Sequence, residues 1–133
     1  MATSRPFHFP SPQVQAFVIC REIWHTSRSE ECVLVGPINH VTIPAFPANV
    51  RLSCYIHLTG GHGRYPLDFL LRDPGGGTVW SWRTPTPLEH PDPLVLHQLT
   101  FHDLLIGVPT AGRYEMAVLA DGQEIARQPV LFQ

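Results

Sequence analysis

The sequence predicts an all-β fold, a Greek-key sandwich of two antiparallel sheets with seven or eight strands. Three observations carry that reading. Apolar residues take every second place from Val50 to Leu58, the periodicity of a half-buried strand. Two extended runs within 112–132 are separated by Asp121-Gly122, a pair suited to a tight primed turn because both residues tolerate positive φ. Tyr114 follows a turn glycine by two residues, as the tyrosine corner of Greek-key sandwiches does.

Residues 1–13, with three prolines and two phenylalanines, read as an extended arm preceding a single domain over 14–133. A first strand over Val14–Ile23 places Phe17, Ile19 and Arg21 on one face and Ala16, Val18 and Cys20 on the other. The polar turn 25–31 follows, then short strands at Cys32–Val35 and Ile38–Ile43, the second closed by a proline-flanked Ala-Phe-Pro at 45–47. Val50–Leu58 sets Val50, Leu52, Cys54, Ile56 and Leu58 against Arg51, Ser53, Tyr55 and His57. Glycines at 60–63 make a turn into a partner strand over Tyr65–Arg72, and Asp73–Gly77 makes the next turn, into the strand Thr78–Arg83.

Four prolines in 84–93 remove backbone donors, so that loop is stiff and no central strand. Leu94–Phe101 reads as extended and His102–Ile106 as a short helical turn capped by Asp103. The terminal hairpin closes the chain. The expected core comprises Phe17, Ile19, Val33, Val35, Leu52, Cys54, Ile56, Leu58, Leu67, Phe69, Leu71, Trp80, Trp82, Leu99, Phe101, Tyr114, Met116, Val118 and Ile125.

Composition narrows the function classes. A chain of 133 residues with 44% hydrophobic content suffices for one buried core. Its nine basic residues are all arginines and are scattered, whereas nucleic-acid binders concentrate positive charge on one face; nucleic acid is not an expected partner. No stretch reaches the 18 apolar residues of a membrane helix and the amino terminus lacks a secretory core, so a soluble, cytoplasmic protein with reduced thiols and no membrane partner is expected.

Eight histidines raise the question of metal, but none shows diagnostic ligand spacing. His57 and His62, which straddle a turn, are the metal candidates; His97 and His102 fall on opposite faces of a continuous strand. Cys54 and Cys20 read as small core residues, and Cys32 follows two glutamates, an environment that blunts thiol reactivity. The glycine clusters 60–63 and 75–77 lead into strands rather than helices, which makes them hairpin turns and not phosphate cradles. Trp80 and Trp82 share one face and read as core, leaving Trp24, Tyr55 and Arg83 as candidates for contact with a partner.

The order of features from Ile19 onward resembles an uncharacterised family of small bacterial proteins with an immunoglobulin-like sandwich. The features are the opening strand ending near Cys20, the Val-Leu-Val-Gly-Pro-Ile segment at 33–38, a proline-rich bend, the alternating strand 50–59, and the Gly-x-Tyr and Asp-Gly hairpin at 112–122. The resemblance implies the fold and transfers no catalytic residue.

The resulting expectation is a non-catalytic protein-interaction or scaffold module with no cofactor, assembling with itself or a protein partner through edge strands. The alternatives are a metal-binding protein or metal-dependent enzyme using histidines, and a carbohydrate-binding module using Trp24 or the Trp80/Trp82 strand.

Overall fold

The computed structural model describes residues 12–28, 31–61, 63–90 and 96–133. Most of the expected arm, and His62, lie outside the described residues. Among the described residues eleven strands run in order: β1 (Gln13–His25), β2 (Cys32–Pro37), β3 (His40–Val41), β4 (Ala48–Thr59), β5 (Gly63–Tyr65), β6 (Leu67–Arg72), β7 (Thr78–Arg83), β8 (Leu88–His90), β9 (His97–Val108), β10 (Gly112–Ala120) and β11 (Gln123–Phe132). The count exceeds seven or eight because β3, β5 and β8 are fragments of two or three residues.

A four-stranded sheet, β2-β1-β4-β9, faces a five-stranded sheet, β3-β11-β10-β6-β7, and β5-β8 form a small ribbon. The hairpins β1-β2, β6-β7 and β10-β11 each stay within one sheet, and the chain crosses between the large sheets at β2–β3, β3–β4, β4–β6, β7–β9 and β9–β10, a Greek-key path. Among the described residues pairing is antiparallel except for two residues of β3 beside β11.

The core lies between the two sheets. Phe17, Ile19, Leu52, Cys54, Ile56 and Leu58 from one sheet meet Phe69, Leu71, Tyr114, Met116, Val118, Val130 and Phe132 from the other. Trp82 and Phe69 on one layer and Phe101 on the other form an aromatic trio, with ring centroids 4.8–6.0 Å apart and tilted or edge-on geometry. Trp80 and Trp82 are partly buried and packed against this core, as their shared face suggests.

The terminal hairpin forms as expected. Ala120 pairs with Gln123 around a two-residue turn in which Asp121 (φ 49°) and Gly122 (φ 79°) both take positive φ.

Two expectations fail. His102–Ile106 is not helical; β9 runs through it, and the strand absorbs one extra residue as a bulge. Phe101 pairs with Cys54 and Leu104 with Leu52, so His102 and Asp103 together oppose Ser53. Asp103 takes φ 53°, and its N–H donates to Ser53 Oγ at 3.1 Å. The extra residue shifts the alternation by one place, and that shift mimics a helical period. Leu104, Ile106 and Val108 therefore join the core unforeseen.

Val33 is the second failure. It is 47% exposed because β2 pairs with β1 beyond the point where β1 leaves β4, and so flanks the core instead of lining it. Val35, also expected inside, is only half-buried.

Candidate functional site

The outer face of the four-stranded sheet carries the densest set of chemically versatile side chains. Alternation from the core pairs Phe17–Ile56 and Ile19–Cys54 directs Val18, Cys20, Ser53, Tyr55, His57, Gln98 and Thr100 to that outer face. An outer face is normally wet, yet Cys20 and Ser53 are fully buried and Tyr55 is half-buried.

The cover is the β1–β2 hairpin. β1 makes its last pair with β4 at Cys20–Ser53 and then continues with β2 alone as far as His25–Cys32. Running straight, His25 would end beside the start of β4. Instead its Nε2 lies 3.0 Å from His102 Nε2 on β9, with Thr100 Oγ1 at 3.4 Å and 3.2 Å from the two nitrogens. The hairpin therefore doubles back across β4. Its turn is tied by Thr26 Oγ1, which accepts the Arg28 N–H at 3.2 Å, and by an Arg28–Glu31 ion pair.

Between hairpin and sheet lies a cleft of about 520 Å³, lined by His25, Glu31, Cys32, His57, Leu96, Gln98 and Thr100. Burial pushes the Cys20 thiol and the Tyr55 phenol up, and Cys32 beside them adds to both shifts. Burial first, and then Cys20, pushes Cys54 up to about 12.

The residues singled out in the sequence do not assemble into one site. His57 is in the cleft wall, with Nε2 enclosed and without a hydrogen-bond partner. Its proposed companion His62 falls outside the described residues. Among the described residues, no three histidine, cysteine or carboxylate side chains converge on a point fit for a metal ion.

Trp24 stands at the hairpin, 58% exposed, its indole N–H donating to Glu22 at 3.0 Å and its cross-strand neighbour being the exposed Val33. Tyr55, half-buried beneath the hairpin, does not share that surface. Arg83 is on the other sheet, held by a two-pronged pair to Asp68 at 2.8 and 3.0 Å. Those hydrogen bonds hold the Asp68 carboxyl below the usual aspartate range, with the charge of Arg83 helping and burial opposing. An aromatic platform on Trp80 and Trp82 is not available, since both pack on the core.

Sequence reasoning missed the His25–His102 pair. The residues are 77 positions apart, and no local motif signals a hairpin that folds over its own sheet.

Among the described residues, β9 is the last strand of its sheet and is paired on one side only. Beyond the bulge it presents Leu104–Val108, five residues without charge or proline, with Leu105 half exposed at 50% beside Gly107; Leu96, just before the strand, is 60% exposed.

The chain belongs to the family of unknown function (DUF6941), whose model matches residues 15–132. This bears out the resemblance to an uncharacterised family. No curated protein matches the chain in sequence. Among solved structures it is similar to the alkylpurine DNA glycosylase AlkC of Pseudomonas fluorescens bound to DNA containing an abasic site analogue. Identity there is 9% and the TM-score 0.50, over 92% of this chain and 30% of that one, so the chain spans under a third of the glycosylase's length. It is also similar to an immunoglobulin-like protein from Pseudomonas aeruginosa, at 13% identity and a TM-score of 0.48, covering 93% of this chain and 98% of that one. Such identities speak for fold alone; by its own strand pairing the chain is an all-β sandwich.

Proposed function

We propose that this member of the family is a non-catalytic interaction module that recruits a second copy of itself by pairing strands along the free edge of β9. One observation carries the reading: among the described residues Leu104–Val108 is an edge without a second partner strand, carrying no charge and no proline and with Leu105 half exposed in its middle. Edge strands of lasting monomers are normally blunted by lysine, proline or a bulge. Here the bulge at His102–Asp103 protects only the first half of the strand. Antiparallel pairing of two such edges about a two-fold axis joins the two four-stranded sheets into one, and Leu105 meets its own copy or a near neighbour across the axis.

Light scattering and native mass spectrometry over a concentration series test the reading. The expected result is a dimer that dissociates on dilution, and Leu105→Lys gives a folded monomer while Trp24→Ala leaves association intact. A wild-type monomer at all concentrations, with a partner protein pairing on the same edge, would keep the docking mode and replace the second copy. A monomer with no strand partner overturns the proposal.

A further inference from the structure

We propose that His25 and His102, with Thr100, form a binding site for a divalent transition metal ion that clips the β1–β2 hairpin onto β9. Three polar atoms meet at one point: the two Nε2 atoms 3.0 Å apart, and Thr100 Oγ1 at 3.4 and 3.2 Å from them. Ligand–ligand separations around an ion with bonds of about 2.0–2.1 Å are about 2.9 Å at right angles and about 3.4 Å at tetrahedral angles. The triangle matches those edges. An approach of two ring nitrogens to 3.0 Å is bridged either by the Nε2–H of one ring or by a cation, and zinc, copper or nickel suits imidazole.

The rings come from separate strands, with centroids 5.1 Å apart and planes at 49°, so an ion there links two elements that share no ladder. Two imidazoles and a hydroxyl leave positions for water, consistent with the site's exposure and with the absence of a third histidine, cysteine or carboxylate ligand among the described residues. The site is independent of the edge Leu104–Val108 and is testable in monomer.

The test uses tag-free protein stripped with a chelator and titrated with zinc sulfate by calorimetry, then with copper(II) followed by electron paramagnetic resonance. One ion per chain is expected, with two nitrogen ligands in the copper spectrum. His25→Ala and His102→Ala should each weaken zinc binding at least tenfold, and Thr100→Val less. His40→Ala, on the opposite sheet, should leave it unchanged. At a hundredfold excess over the dissociation constant, zinc should raise the wild-type melting temperature by about 5–10 °C. Circular dichroism in chelator establishes that the variants fold; His25→Gln or His102→Gln replaces the alanine variant at its own position if that variant does not. Wild-type affinity retained in both histidine variants, a loss confined to His57→Ala, or no uptake overturns the proposal and leaves a hydrogen-bonded imidazole pair only.

Discussion

The hydroxyl of Tyr114 donates to the carbonyl of Thr110, four residues upstream, at 2.9 Å, and lies 3.1 Å from the Thr110 hydroxyl. This tyrosine corner ties the loop from β9 to β10 onto the start of its own strand, where the ring also packs edge-on to Phe132 at 5.6 Å. Tyr114→Phe keeps the ring and orphans the carbonyl. We expect a loss of about 1 kcal/mol in denaturant unfolding at unchanged m-value. A variant as stable as wild type would deny the corner its role.

The bulge opposite Ser53 supplies a pair of opposite predictions. Ser53→Ala removes the acceptor for the Asp103 N–H and should cost about 1 kcal/mol. Asp103→Gly relieves a non-glycine residue at φ 53° and should stabilise by about 0.5–1 kcal/mol. Equilibrium unfolding of the two variants in urea checks both signs; destabilisation by the glycine would mean that the Asp103 side chain holds the bulge.

Thiol reactivity should divide the cysteines. Cys54, with its pKa pushed up to about 12, has almost no thiolate at pH 8, and Cys20 is enclosed and likewise raised. Ellman's reagent should therefore titrate one thiol, Cys32, in the native protein and three in denaturant. Rapid native modification of two or more would show that the hairpin does not stay down.

Asp68 makes stability depend on acid. Its pKa is lower in the folded state, where Arg83 donates to it, so the unfolded chain binds that proton more readily. The contribution is complete above the unfolded value near pH 4 and is lost as pH falls through the folded value. Asp68→Asn should flatten the acid side of the stability profile and leave the neutral side parallel to wild type. Thermal melts from pH 2 to pH 7 measure it, and an unchanged acid slope would count against the pair.

The legible parts of this fold were those governed by local chemistry. The inward-facing set of β4, the Asp121-Gly122 turn and the Gly112–Tyr114 corner each depend on neighbours within a few residues, and each is found as read. The region 102–106 misled because a bulge is stabilised by Ser53, fifty positions away, and its displaced alternation has a helical look. Val33 misled for a related reason: an apolar residue in a short strand says nothing of which sheet edge that strand meets. The His25–His102 approach was invisible, since it arises from β1 parting from β4 at Cys20, a tertiary event with no composition of its own.

That parting at Cys20 gives one strand two fates. Residues before it are locked between β4 and the core, whereas those after it are held by β2 and by the contacts at His25. Amide hydrogens of 21–25 and 32–37 should consequently exchange as one fast cooperative unit while those of 16–19 wait for global unfolding. The cleft floor, His57 included, is then uncovered by a swing of the hairpin that leaves the sandwich intact, and any ligand of that floor must compete with the hairpin's closure.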